Sequence, residues 1–139
     1  MTLNDCTIID LPTFKDSRGS LTLVDNKTIS SYLPFTPKRC FWIHSIAKGG
    51  SRGEHAHRTC WEMVIPIHGS FNLTLNDGFN EKTLIASSPN KGILIPPMIW
   101  CRLWDFAPDT VCLALASEDY DASGYINDLK TFFKETHHD

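Results

Sequence analysis

Before residue 120 the chain is a succession of short β-rich runs separated by turn residues, and no segment there sustains a 3.6-residue apolar period. With helices excluded from most of the length, apolar side chains can be buried only by stacking or closing sheets, which predicts an all-β barrel or sandwich. Thr7–Leu11 reads as a first strand, and Asp16–Gly19 as a turn into Ser20–Val24, so these segments are expected to form a hairpin. Pro34 and Pro37 interrupt the chain before a longer strand over Lys38–Ile46, which ends at Gly49-Gly50. Trp61–His68 runs into Gly69, Ser70–Leu75 alternates apolar with polar, and Asn76-Asp77-Gly78 is a strong hairpin signal; Gly69 and Gly78 as turn tips predict a meander. Further strands are read at Glu81–Ala86, Gly92–Ile95 and Trp100–Phe106, and the nearly continuous apolar run Thr110–Ala116 suits a strand covered on both faces. Only the segment from about Tyr120 to Lys134 reads as a helix, with Tyr125, Leu129 and Phe132 or Phe133 on the side that packs on the barrel.

At 139 residues the chain has the size of one domain, and residues 1–139 are expected to form a single unit. A net charge of −3 with scattered Lys and Arg offers no electrostatic footprint for nucleic acid. Neither a basic, apolar leader nor an apolar run near the roughly 18 residues of a membrane span is present, so a soluble, cytoplasmic protein with no membrane partner is expected. Five widely spaced cysteines, odd in number and mostly inside apolar runs, point to reduced, buried thiols and no disulfide framework. The terminal His137-His138 pair is assigned no role.

Against that background one stretch carries chemistry: Gly49-Gly50-Ser51-Arg52-Gly53-Glu54-His55-Ala56-His57, followed by Glu62 and Gly69. On a strand His55 and His57 project to one face about 7 Å apart, which suits two groups acting on one small ligand. Glu62 lies an odd number of residues from His57 and shares their face only if a bend or bulge shifts the strand's phase. Two imidazoles beside Arg52 and Glu62 are a poor way to fill an apolar core, because buried polar groups need partners. The pattern Gly-x5-His-x-His-x4-Glu-x6-Gly resembles the first motif of the cupin superfamily at every fixed position, which implies a double-stranded β-helix, or jelly-roll, barrel with a short C-terminal helix.

A narrower resemblance covers nearly the whole chain. Asp16-Ser17-Arg18-Gly19-Ser20-Leu21, Lys38-Arg39, Arg52-Gly53-Glu54-His55-Ala56-His57, Pro97-Met98-Ile99-Trp100 and Ala116-Ser117-Glu118-Asp119-Tyr120-Asp121 are similar to segments of the dTDP-4-keto-6-deoxyhexose 3,4-ketoisomerases, small metal-independent cupins of the WxcM-like type. The resemblance implies an isomerase needing no cofactor or metal, a dTDP-linked keto-deoxyhexose as partner, a homodimer often with exchanged N-terminal strands, and a place in making unusual sugars for surface glycans. It implies His57 as the shuttling base, with His55 as its partner or as the proton donor to oxygen. Imidazole suits both roles near neutrality, since its unperturbed pKa is about 6.5. Arg52 would bind phosphate or stabilise enediolate charge through its planar fork. Glu62, Trp42, Trp100 and Arg102 are the further candidate substrate-binding residues, Glu62 with the alternative of hydrogen-bonding an imidazole to raise its basicity, and the tryptophans by stacking.

Three positions depart from that family pattern. Phe41-Trp42 stands where the family carries a tyrosine, Cys101 follows Trp100 where a histidine is frequent, and Glu62 replaces a polar amide. Trp42 is expected to crowd the space of the lost hydroxyl, and the remaining phenols are Tyr32, Tyr120 and Tyr125. Two other readings stay open at this level: a metal-dependent cupin using His55, His57, Glu62 and Cys101, and a non-catalytic cupin that binds a nucleotide sugar. His44 and His68 lack partners at motif spacing and are left out of the site.

Overall fold

The computed structural model describes residues 1–137, and His138 of the terminal pair lies outside them. Two five-stranded antiparallel sheets face one another in a double-sheet jelly roll. The first orders β1 (Ile8–Asp10), β9 (Lys91–Ile95), β6 (Glu62–His68), β11 (Val111–Ala116) and β4 (Arg39–Ile43). The second orders β12 (Tyr125–Ile126), β5 (Arg52–His57), β10 (Trp100–Trp104), β7 (Phe71–Asn76) and β8 (Glu81–Ala86). Strands β2 (Thr13–Asp16) and β3 (Gly19–Thr22) form a separate hairpin, and the one α-helix among the described residues is α1 (Leu129–Thr136). No helix among the described residues is long and apolar enough to cross a membrane.

Burial follows the alternation of the strands. Inward side chains such as Val64, Leu73, Ile95, Leu103 and Ala114 form the core between the sheets. The outward residues Met63, Ile65, Leu94 and Leu115 make a second apolar layer, which the segment carrying Ile29 and Leu33 covers. Strand β11 is therefore apolar on both faces because it lies between two cores, as its continuous apolar run requires.

Two expectations about pairing need correction. Residues Ser20–Thr22 pair with Thr13–Asp16, not with the first strand, which instead joins β9 through Ile8 opposite Ile93. The short Asp16–Gly19 turn leaves room only for an immediately adjacent partner, while the apolar Ile9 is claimed by the outer core. The Gly69 turn does not make a meander: β6 and β7 belong to different sheets, and of the two turns at Gly69 and Gly78 the second alone, joining β7 to β8 around Asn76–Asn80, closes a hairpin. Gly69 has φ +80°, and a Cβ there would come within 2.8 Å of Thr110 Cα, so the chain crosses between sheets where a side chain has no space.

The C-terminal segment also differs from its reading as one helix from Tyr120. A 3₁₀ turn at Ala122–Gly124 and the two-residue β12 precede α1. Asp121 accepts from Ser123 N at 3.0 Å, a local bond that competes with helix, and Asp128 caps α1 by accepting from Thr131 N at 2.9 Å. Helix α1 buries Phe132 against Ala56 and Ile126 on the outside of the second sheet. His137, assigned no role above, closes that element: its Nε2 lies 2.6 Å from Gly78 O and its ring stacks on Phe79 at 4.4 Å.

Candidate active site

Strand β5 delivers the histidines, and a bulge sets its phase. His55 stands opposite Cys101 of β10 and Arg52 opposite Leu103, while Gly53 and Glu54, with φ of +79° and +61°, together take the room of one residue. Cys101 and Leu103 both point into the core, so Arg52 joins His55 on the inner face despite an odd separation of three residues. The glycine of Arg-Gly-Glu-His is needed for this: a Cβ on Gly53 would sit 3.0 Å from Cys101 O and 3.2 Å from Leu103 Cδ1. The expected phase shift between His57 and Glu62 is not there. The chain leaves β5 at His57 and re-enters the opposite sheet at Glu62, so the carboxylate reaches the imidazoles across the interior.

The result is a compact cluster. The His55 and His57 rings meet edge to face with centroids 4.9 Å apart, closer than strand spacing alone implies. Glu62 Oε1 lies 3.2 Å from His57 Nε2, too far off the N–H axis for an aligned hydrogen bond, so the contact acts through charge. Both groups are about 4 % exposed, so that charge is weakly screened. Burial, and then the neighbouring His57, hold the His55 pKa below its usual value, only partly opposed by the Glu62 carboxylate. A cavity of about 250 Å³ opens beside His55, Glu62, Cys101 and Phe41, with Arg52 and Trp42 at its edge.

Two residues join the site that sequence reasoning did not assign to it, one of them, Tyr125, named only as one of three remaining phenols. Tyr125 of β12 stands directly opposite His57 in the ladder, and its ring lies 4.4 Å from the His57 ring and 5.0 Å from that of His55. Arg39 of β4 donates from Nη1 to Tyr125 Oη at 3.2 Å. The signal in the sequence was the tight turn Asp121–Gly124, which ends helix periodicity before Tyr125 and leaves it free to pair as a strand.

Arg52, Trp42 and Glu62 gather around the cavity, but Trp100 and Arg102 do not. They project from the outer face of β10 into a separate groove shared with Trp104 and Glu54. Phe41, not Trp42, occupies the inward position on β4; Trp42 is 59 % exposed and borders both the cavity and an adjoining groove walled by His44, Gly50 and Arg52. Ligand atoms of His55, His57 and Glu62 lie within 4.8 Å of one another, a donor set able to hold a metal ion. Cys101 is not part of that set, and burial drives its thiol pKa far up, which disfavours the thiolate that ligation needs.

Comparison with known proteins supplies a chemical context for this arrangement. The family described as FdtA, WxcM-like, C-terminal, matches residues 4–137. The chain is 34 % identical over 128 residues to the TDP-4-oxo-6-deoxy-alpha-D-glucose-3,4-oxoisomerase of Aneurinibacillus thermoaerophilus, covering 91 % of this chain and 89 % of that protein. Among solved structures it is similar to the sugar 3,4-ketoisomerase QdtA of Thermoanaerobacterium thermosaccharolyticum in complex with TDP, with 30 % identity, a TM-score of 0.90, and 97 % and 96 % of the two chains covered. A 3,4-ketoisomerase from Helicobacter canadensis superposes with a TM-score of 0.88 at 32 % identity, covering 95 % of this chain and 97 % of its own.

Proposed function

The chain belongs to the WxcM-like FdtA family, and from that membership we propose that it is a sugar-nucleotide 3,4-ketoisomerase acting on a TDP-linked 4-keto-6-deoxyhexose. The observation that carries this reading is an inward pair of imidazoles of which His55 lines a sugar-sized cavity, with His57 packed directly behind it. Converting a 4-keto to a 3-keto sugar requires only proton transfers: a base removes the C3 proton, an enediol forms, and a proton returns to C4. His57 is assigned as the base, with the Glu62 carboxylate 3.2 Å from its Nε2 fixing the ring. His55 lies beside it, held neutral by burial, and hydrogen-bonds sugar oxygen.

At about 250 Å³ the cavity is slightly smaller than the roughly 300 Å³ at which pockets begin to enclose whole drug-sized ligands, so it takes the hexose and leaves the nucleotide outside. Arg52 stands where the cavity meets the adjoining groove, the place for a diphosphate, and Trp42 beside it offers a face to the base. A histidine-to-asparagine mutant of the Thermoanaerobacterium enzyme is known in complex with TDP-4-keto-6-deoxyglucose, which recommends that compound as the first substrate to test. We read residues 1–139 as one domain working in the cytoplasm as a homodimer. The hairpin of β2 and β3 supports the dimer: all eight of its residues are exposed, and Phe14 and Leu21 form a cross-strand apolar pair on it. An isolated two-stranded hairpin is marginal in water, and a second copy of the chain would cover it.

Incubation with TDP-4-keto-6-deoxyglucose in deuterated water tests the activity. Wild-type protein is expected to place deuterium at C3 and form the 3-keto isomer, and His57→Asn to slow both by about 10²-fold or more. Binding without exchange would reject catalysis. Because the donor set at His55, His57 and Glu62 also suits a metal, the assay is repeated after chelation: activity that is lost, and restored by zinc or iron, would replace this reading with metal-assisted chemistry.

A further inference from the structure

We propose that Tyr125 is the proton-relay acid of this site and that Arg39 is the residue that positions it; the proposal rests on the ketoisomerase reading above. Proton transfer at C3 and C4 leaves a second pair of protons to be moved, those on O3 and O4. A group serving both oxygens must lie beside the base, face the cavity, and be able to give and regain a proton.

Tyr125 meets these conditions. It lines the cavity, stands opposite His57 in the β5–β12 ladder, and packs its ring within 5.0 Å of both imidazole rings. The other two tyrosines do not line the cavity: Tyr32 packs in the outer core, and Tyr120, which packs on Tyr125 with ring centroids 5.8 Å apart, is 68 % exposed. Arginine has donors only, so the 3.2 Å contact from Arg39 Nη1 uses the phenol oxygen as acceptor and leaves the O–H hydrogen free to be donated. The same guanidinium stabilises the phenolate that remains after donation. Arg39 also lies over the rings of Phe41 and Tyr120, at 5.3 and 5.8 Å, and its buried Nε has no hydrogen-bond partner among the described residues.

The protein also fixes Tyr125 from behind. Arg58 donates to the carbonyls of Ser123 and Tyr125 at 3.0 and 3.2 Å and forms a two-point ion pair with Glu135 of α1, while its own amide donates to Gly124 O at 2.9 Å.

The proton count closes. As His57 takes the C3 hydrogen, Tyr125 gives its proton to O4, producing the enediol and a phenolate. The phenolate then takes the proton from O3 as C3 becomes the carbonyl, and His57 returns its proton to C4. Enzyme and protons are restored, and the ketone has moved.

The experiment compares wild type, Tyr125→Phe, Arg39→Gln, Arg39→Lys and the Tyr125→Phe/Arg39→Gln double variant. Readouts are kcat, KM, C3 deuterium exchange, TDP affinity and thermal melting. Phenylalanine keeps the ring contacts and removes only the hydroxyl, so Tyr125→Phe is expected to retain wild-type melting and TDP affinity and to lose on the order of 10²-fold in kcat. Arg39→Gln should lose kcat with little change in KM, Arg39→Lys should recover part of it, and the double variant should be no slower than the slower single variant, because the two act as one unit. A Tyr125→Phe protein within about twofold of wild-type kcat, or one whose loss matches lowered melting or TDP affinity, overturns the relay. If wild type itself neither exchanges nor isomerises, the ketoisomerase reading has failed and takes the relay with it.

Discussion

At the scale of single residues, the site works by giving like groups unlike surroundings. His57 is next to a buried carboxylate, whereas His55 feels burial and a second imidazole more strongly than it feels Glu62. The consequence for stability has a definite sign. With the His55 pKa lowered in the folded state from 6.5, the unfolded chain binds a proton on acidification that the folded chain refuses. Stability is therefore complete above about pH 6.5 and declines as pH falls from there toward the folded-state pKa. Urea denaturation at stepped pH should show this slope, and His55→Gln should flatten it; an unchanged slope would place the acid sensitivity on other groups. Cys101 and Cys112 are governed by the same burial, which pushes the Cys112 thiol up to about 12, so both serve as apolar filling.

At the scale of elements, one bulge and one short strand do most to build the site. The bulge at Gly53 and Glu54 brings Arg52 into phase with His55, and β12 brings Tyr125 to His57. Replacing Gly53 by alanine puts a Cβ into a backbone with φ +79° and 3.0 Å from the carbonyl of the neighbouring strand. Strain of that kind costs about 1–3 kcal/mol. Gly53→Ala is therefore expected to lower the melting temperature by several degrees, and to lower kcat/KM further than stability alone explains, because register and catalytic geometry share this hinge. Wild-type kinetics in a folded Gly53→Ala protein would show that the bulge is not needed for the alignment. The hairpin end is secured separately: Asp77 accepts from the amides of Leu3, Phe79 and Asn80, and these bonds outweigh its burial and hold its carboxyl below the usual range.

At the scale of the whole molecule, the two sheets enclose the candidate site on their shared inner side, while the hairpin carrying Phe14 and Leu21 stays uncovered. On the proposed homodimer, wild type should sediment as a dimer and Phe14→Asp as a monomer with little change in the fold of each chain; a mass unaffected by this change would remove the hairpin from the proposed interface. Much of this architecture is legible in the sequence, because local patterns carry it. Alternation marks β7, the Asn76-Asp77-Gly78 turn marks its hairpin, the two-faced apolar run marks β11, and His-Ala-His on a strand puts two imidazoles on one side whatever surrounds them. Family membership rests on residue patterns of the same kind. What the linear pattern did not carry was which strands share a sheet, where Glu62 reaches the histidines from, and which tyrosine accompanies them. Those are matters of register and of contacts between positions far apart in the chain: Glu62 arrives from the opposite sheet, and Arg39 meets Tyr125 across 86 residues. Short-range spacing determines which face a side chain takes, but only closure of the two sheets under a shared core determines what that face looks upon.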